Sequence, residues 1–208
     1  MTALLDPRPN ARLLQLDGKA VHLCVDMQRL LAPEGPWPVP WAEPALYNIV
    51  RLADRYPART IFTRFVPPAT PAQMPGMWRG YYDKWRHVTR EFIDPMLLDL
   101  LPPLTAFAPP AQIIDKTRYS AFFGSALLAS LNALHCHTII LTGAETDICV
   151  LSTALTAVDL GLAVVVVEDA ICSSSDRCHD ALLTLYRERL GQQIEILPTD
   201  TVLERWKS

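Results

Sequence analysis

The sequence predicts a three-layer α/β/α sandwich built on a six-stranded parallel sheet. Short apolar, β-branched segments alternate along the chain with amphipathic segments of helical length, as in proteins with a parallel sheet. The segment 163–167, AVVVV, is apolar without interruption, which is typical of a strand covered on both faces. With 208 residues, 50% of them hydrophobic and 20% charged, the chain can bury one sizeable core. We therefore expect a single domain over 1–208.

The order of the elements follows from the same patterns. Residues 1–18 are expected to form an arm that leads to a turn at Asp17 and Gly18. The expected strands are 19–26, 59–65, 111–116, 138–141, 163–167 and 193–196. The expected helices are 43–55, 94–104, 123–134, 149–161, 176–190 and 199–206. Gly143 is expected to stop the fourth strand, and the pair Pro102-Pro103 is expected to stop the second helix.

Two connecting segments are rich in aromatic residues. The loop 33–44 contains Trp37 and Trp41, which we expect to pack beneath the loop or at a subunit contact. The segment 66–92 has five prolines and glycines between Pro67 and Gly76, so regular structure is not expected there. An insertion of this length between strands is typical of a lid or binding loop, and packing between subunits is the alternative.

Composition narrows the possible partners. The formal net charge of −3 gives no electrostatic reason to expect binding to nucleic acid or to an anionic membrane. No apolar run reaches the roughly 18 residues of a membrane span, and the first residues lack the apolar run of a signal peptide. Five cysteines, an odd number, fit a reducing cytoplasm better than a disulfide framework. We therefore expect a cytoplasmic protein that binds neither nucleic acid nor a membrane.

Cys149 is the first candidate functional residue. It falls in the first turn of the helix expected after the fourth strand, with Thr146 and Asp147 as suitable N-cap residues. A thiol there lies near unpaired backbone N–H groups and the positive end of the helix dipole, and both favour the thiolate. The sequence thus makes Cys149 a candidate nucleophile, although a buried structural cysteine is the alternative.

Asp26 and Lys116 are the next candidates, because each ends an expected strand. Asp26 stands where open α/β sheets bind ligands, although a turn cap is the alternative. Lysine is rarely buried unless paired, so Lys116 is expected either beside a carboxylate or exposed at the start of a loop. Right-handed crossovers bring both ends to the edge of the sheet that carries Cys149. The carboxylate could then take the thiol proton, while the lysine stabilises both anions.

At four motifs the sequence resembles the isochorismatase-like cysteine hydrolases, a Rossmann-like family. The first two motifs are Val25-Asp26-Met27-Gln28 and Phe62-Thr63-Arg64. The third is Asp115-Lys116 followed by Tyr119-Ser120-Ala121-Phe122, and the fourth is Gly143-Ala144-Glu145-Thr146-Asp147-Ile148-Cys149-Val150. Matches continue at Thr153, Ala154, Ala157, Asp159, Gly161, Asp169 and Ala170, so the resemblance covers about 20–197.

The resemblance carries expectations about the site. It implies a catalytic triad of Asp26, Lys116 and Cys149. It also implies a cis peptide bond between Ala144 and Glu145, and an oxyanion hole formed by the backbone N–H groups of Glu145 and Cys149. A thioester-forming amidase acting on a small amide, ureido or carbamoyl compound follows from this triad. Vinyl-ether hydrolysis of the isochorismatase type and an inactive binding or assembly protein are the alternatives.

No metal or other cofactor is expected. Nicotinamidases of the family carry an Asp-x-His metal motif after the second strand, where this chain has neither a histidine nor a carboxylate, and His87 stands alone nearby. We therefore do not expect nicotinamide as the substrate. The groups His135-Cys136-His137 and Cys172 with Cys178-His179 are not expected to bind metal, and His22 is expected to be a packed core histidine. The expected walls of the substrate pocket are Phe65, Trp78, Tyr81 and Tyr119.

Overall fold

A computed structural model describes residue 14 and residues 16–207. Six strands form one entirely parallel sheet in the order β3-β2-β1-β4-β5-β6. The strands are β1 Ala20–Val25, β2 Thr60–Phe65, β3 Gln112–Lys116, β4 Thr138–Ala144, β5 Ala163–Cys172 and β6 Ile194–Leu197. The helices are α1 Ala42–Arg55, α2 Met77–Lys84, α3 Pro102–Thr105, α4 Leu127–Ala133, α5 Leu151–Asp159, α6 Asp176–Arg189 and α7 Thr199–Arg205. The predicted α/β fold is confirmed.

The core has one layer on each face of the sheet, because side chains alternate along each strand. In β1, Ala20 and Cys24 face the layer covered by α1, α3 and α7. Val21, Leu23 and Val25 face the opposite layer, which α4, α5 and α6 cover. Among the described helices, none combines the length and the apolar character that crossing a membrane requires.

Several predicted boundaries are wrong. Pro102 begins α3 instead of ending a helix, because proline lacks an N–H that the first helical position would leave unpaired. The rest of that predicted helix is a single 3₁₀ turn, Pro95–Leu98. In the aromatic segment, α2 forms where we expected none, although 67–76 contains only the 3₁₀ turn Pro71–Gln73. Helix α4 begins only at Leu127, four residues later than predicted.

Strands β4 and β5 are longer than predicted because of Gly143. This residue has a φ of +107°, and a Cβ added to it would lie 2.1 Å from the carbonyl oxygen of Val25. Glycine therefore allows β4 to lie against β1 and does not stop the strand. After a register shift, Gly143 and Ala144 pair with Ile171 and Cys172, so β5 also continues to the site.

Candidate active site

Three polar side chains meet at the carboxyl edge of the sheet. Asp26 follows β1, Lys116 is the last residue of β3, and Cys149 lies in the turn after β4. Lys116 lies between the other two: its Nζ is 2.6 Å from Asp26 Oδ2 and 3.5 Å from Cys149 Sγ. The topology thus brings together three residues that the sequence separates by up to 123 positions, from 26 to 149.

Asp26 is buried, with 3% of its surface exposed, and its φ of +54° is uncommon for a residue other than glycine. Thr63 on β2 fixes the carboxylate, because its hydroxyl donates a hydrogen bond of 2.6 Å to Oδ1. The other carboxylate oxygen, Oδ2, forms the 2.6 Å ion pair with Lys116. Thr63 could not be identified from the sequence, since its role depends on the register of two strands.

Lys116 is also buried, and three acceptors hold its ammonium group besides Asp26. Nζ donates to the carbonyl oxygens of Arg118 at 2.8 Å and Tyr119 at 3.1 Å, and to Cys149 Sγ. It also lies 5.0 Å from the centre of the Phe65 ring. Burial lowers the pKa of Lys116, but the charge of Asp26 and the hydrogen-bonding contacts with Asp26 and Cys149 outweigh burial and raise it above its ordinary value. Lys116 is therefore positively charged at neutral pH.

Cys149 lies in a π-helical turn, Thr146–Val150, that precedes α5. Thr146 and Asp147 do not cap the helix as predicted: Thr146 pairs with His179 Nδ1, and Asp147 accepts a hydrogen bond from Ser173. The expected preference for a thiolate is also wrong for the resting site. Solvent reaches part of the side chain, but protein surrounds the sulfur, and this desolvation raises the pKa of Cys149 to about 12. Lys116 opposes this effect and Asp26 adds to it.

The backbone between β4 and the π-helical turn lines the site. The Ala144–Glu145 peptide bond is cis, as the resemblance implied. The Glu145 carboxylate accepts hydrogen bonds from the backbone N–H and the hydroxyl group of Ser174, and it lies 3.4 Å from the hydroxyl of Ser173. These serines follow β5, and the turn that carries Cys149 follows the neighbouring strand β4. Contacts from the ends of two adjacent strands therefore stabilise this turn. The extension of β5 that places the serines there was not predicted.

A cavity of about 430 Å³ opens above Cys149. Of the predicted wall residues, Phe65, Tyr81 and Tyr119 line it. Trp78 does not line it and packs behind Tyr119, with the ring centres 4.8 Å apart. The remaining lining residues are Asp26, Leu30, Leu31, Pro36, Trp37, Pro38, Trp85, Ala144, Glu145, Ile148, Cys149 and Ser174.

The two aromatic segments thus contribute walls of the cavity. Trp37, in the 33–44 loop, packs against Phe65 and Trp85 with ring centres 6.1 and 5.9 Å apart. The sequence did not identify Trp37 and Trp85 as wall residues, although the proline- and tryptophan-rich composition of their segments was a signal of an irregular, aromatic surface. Of the two roles weighed for segment 66–92, the binding wall matches the position of Tyr81 and Trp85.

The other candidate residues lie outside this arrangement. His22 is fully buried and pairs with the hydroxyl of Thr142 at 2.9 Å, and burial lowers its pKa to about 3. It is a core histidine, as predicted. Val66, Pro67 and Pro68 follow β2, so the chain offers no metal-ligating side chain at the position of the nicotinamidase motif. Residues 14 and 16–207 contain no cluster of three or more His, Cys, Asp or Glu side chains suited to a metal ion.

The sheet topology and the position of the thiol define the class of protein: an α/β protein whose buried carboxylate, lysine and cysteine share one edge of a parallel sheet. Within this class, the chain belongs to the isochorismatase family. The family model, described as an isochorismatase domain, matches residues 20–196.

The similar proteins agree with this assignment. An uncharacterized isochorismatase family protein of Bacillus subtilis (strain 168) is 36% identical over 86 residues, which are 41% of this chain and 47% of that protein. Another from the same organism is 37% identical over 79 residues, 38% of this chain and 42% of that protein. The chain therefore spans about half the length of the curated relatives it matches.

Solved structures share the fold over most of the chain. A cysteine hydrolase from Pseudomonas syringae pv. phaseolicola 1448A has a TM-score of 0.76 at 21% identity, covering 90% of this chain and 92% of that one. N-carbamoylsarcosine amidase from Thermoplasma acidophilum has a TM-score of 0.71 at 18% identity, covering 87% and 96%. A nicotinamidase/pyrazinamidase from B. subtilis has a TM-score of 0.70 at 23% identity, covering 85% and 98%.

Proposed function

We propose that this protein is a cysteine-dependent amidohydrolase that cleaves a C–N bond of a small amide, ureido or carbamoyl compound. The observation that carries the proposal is the contact of Lys116 Nζ with both Asp26 Oδ2 and Cys149 Sγ at the base of a cavity. Burying an ion pair costs free energy of desolvation. A role in catalysis accounts for this pair, because a thiol nucleophile needs a base to take its proton and a cation to stabilise its negative charge.

The raised pKa of Cys149 determines how the reaction begins. The thiol is protonated at rest, so Asp26 accepts the proton as the sulfur attacks the substrate carbonyl carbon. Asp26 is placed for this role because its Oδ2 contacts the same ammonium group of Lys116 that contacts Sγ. Lys116 stays charged and stabilises the negative charge that develops on sulfur. The backbone N–H groups of Glu145 and Cys149 hold the carbonyl oxygen as it becomes an oxyanion.

The remaining steps return the enzyme to its starting state. The C–N bond breaks, and the nitrogen leaves as ammonia or an amine with the proton that Asp26 took from sulfur. Cys149 is then acylated as a thioester. Asp26 takes a proton from water as the water attacks the thioester carbonyl, the C–S bond breaks, and Cys149 regains its proton as the acid leaves. One water is consumed for each C–N bond cleaved.

The proposal extends to the setting in which the protein works. All five cysteines are free, which is consistent with the reducing cytoplasm that we propose as its location. We also propose that the protein forms a homodimer or homotetramer and acts on a small molecule. Light scattering coupled to size-exclusion chromatography would measure the oligomeric state.

Ammonia release from a panel of small amides, ureas and carbamoyl compounds tests the proposed reaction. Intact-protein mass spectrometry after rapid acid quenching should detect the mass of the acyl group on the protein, and hydroxylamine should remove it. Cys178 is an exposed thiol, so Cys178→Ala is the matched control and should still carry the acyl group. The measurement applies where hydrolysis of the thioester limits turnover. If ammonia is released there and Cys149 carries no acyl group, the thioester step is contradicted.

A further inference from the structure

We infer that the part of the substrate beyond its scissile C–N bond is apolar and uncharged, and that substrates bearing a carboxylate are rejected. This inference rests on the proposed function and adds the chemical class of the substrate. The observation behind it is the composition of the cavity wall, which combines five aromatic rings with two acidic side chains and no basic one among the described residues.

The aromatic part of the wall is continuous. Trp37 contacts both Phe65 and Trp85, and Trp85 lies beside Tyr81 with ring centres 6.5 Å apart. Tyr119 completes the set of five rings, and Leu30, Leu31 and Ile148 add aliphatic surface. Burial raises the pKa of Tyr81 to about 12 and also raises that of Tyr119, so both phenols are neutral at physiological pH. Such a wall favours apolar groups, which release water when they bind.

Three basic residues near the wall do not line the cavity. Lys84 Nζ lies 5.7 Å from the centre of the Trp85 ring, and the other two, Lys116 and Arg118, are engaged elsewhere. Lys116 is buried behind Cys149, where Asp26 and two backbone carbonyl groups already hold its ammonium. Arg118 donates to the carbonyl oxygen of Thr117, and its guanidinium lies over the rings of Trp78 and Phe123. Neither residue lines the cavity.

A carboxylate on the substrate would therefore lose water without gaining a cation. Removing an ionised carboxylate from water is costly unless it is paired with a positive charge. The cavity wall also presents Glu145, whose carboxylate is held in place by Ser174 and would repel a second anion. The charge of Asp26 is offset by Lys116, so one uncompensated negative charge remains among these three residues. The wall thus selects against anionic amides through both desolvation and repulsion.

Two amides of nearly equal shape test the inference. In 4-methylpentanamide an isopropyl group occupies the position of the carboxylate in succinamate, and the rest of the two molecules is the same. We expect kcat/KM for ammonia release to be about a hundredfold higher for 4-methylpentanamide than for succinamate. This ratio corresponds to the free-energy cost of burying an unpaired polar group. Equal values, or a higher value for succinamate, would overturn the inference.

A charge introduced into the wall provides a second test. Trp85 ends α2 at the cavity, and Trp85→Arg would supply the missing cation, whereas Trp85→Leu removes the ring without adding charge. We expect Trp85→Arg to lower the preference for 4-methylpentanamide at least tenfold relative to Trp85→Leu. An unchanged ratio between the two variants would mean that charge at the wall does not determine specificity.

Binding separates a failure of this inference from a failure of the proposed function. The affinity of both amides for the Cys149→Ala variant can be measured by calorimetry whether or not the wild type turns them over. Tighter binding of 4-methylpentanamide without any Cys149-dependent ammonia release would support the inference about the wall and contradict the proposed reaction. Tighter binding of succinamate, or no binding of either amide, would contradict the inference itself.

Discussion

The substitution Lys116→Met tests the role of the buried ammonium group. At 3.5 Å from Sγ and an effective dielectric constant of about 20, the attraction between Lys116 and a Cys149 thiolate is about 4.7 kcal/mol. At 1.36 kcal/mol for each tenfold change, this corresponds to about three and a half powers of ten in the thiolate population. This figure counts a single pair of charges, so we take it as the upper limit and expect a decrease between about tenfold and a thousandfold.

The rate at which iodoacetamide alkylates Cys149, followed by peptide mass spectrometry between pH 7 and 10, measures this decrease. In the wild type the rate should rise with pH throughout this range, because the pKa of Cys149 is about 12. In Lys116→Met the rate at each pH should be lower, since Lys116 lowers that pKa. The exposed Cys178 serves as an internal reference for the reagent. Lys19→Met, at the opposite end of β1, is the matched control and should leave the profile unchanged.

The same variant should lose stability as well as activity. Removing one partner of a buried ion pair costs about 3–5 kcal/mol of unfolding free energy, because the other charge stays buried and unpaired. An alkylation profile and an unfolding free energy both equal to those of the wild type would refute the assignment of Lys116 to the site.

Three further predictions concern metal, acid stability and the orientation of Asp26. Because no metal-ligating side chain follows β2, prolonged dialysis against EDTA should leave ammonia release unchanged. A loss of activity that zinc or iron restores would show that a metal takes part. The pKa of His22 is about 3 in the folded protein and about 6.5 when unfolded, so the unfolded state binds more protons between these values and stability falls as the pH drops from 6.5. Urea titrations should show that the unfolding free energy of the wild type falls by about 2–3 kcal/mol more between pH 7 and pH 4.5 than that of His22→Gln. Equal decreases in the two proteins would contradict the burial argument. Thr63→Val removes the hydrogen bond to Asp26 Oδ1 and should lower kcat about tenfold. Thr138 is also buried, and the control variant Thr138→Val should leave kcat unchanged. Equal kcat in the two variants would contradict the role of Thr63.

The sheet could be predicted because its strands are locally encoded. Apolar runs such as Ile139 to Leu141 and Val164 to Val167 are buried on both faces, and each run is long enough for one parallel strand. The positions of Asp26 and Lys116 followed from these runs, since each residue comes where its apolar run ends. The parallel topology then brings those ends together.

Features that depend on tertiary contacts could not be predicted. Glycine is common both in turns and at close backbone approaches, and only the distance between β4 and β1 shows which role Gly143 has. The π-helical turn at Cys149 likewise depends on contacts with Ser173 and His179, which are distant in sequence. The effect of burial on Cys149 could not be inferred from its position near a helix start, because desolvation depends on how closely the protein surrounds the sulfur.

The most direct test of the account is ammonia release by Cys149→Ala and Cys149→Ser on the best amide of the panel. Both variants should keep the wild-type circular dichroism spectrum, since each replaces a partly exposed side chain at the cavity with one of similar or smaller size. We predict a loss of kcat of at least about a thousandfold in both, because neither a methyl group nor a hydroxyl can replace the thiol as nucleophile here. Activity within tenfold of the wild type in a folded Cys149→Ala would contradict the account.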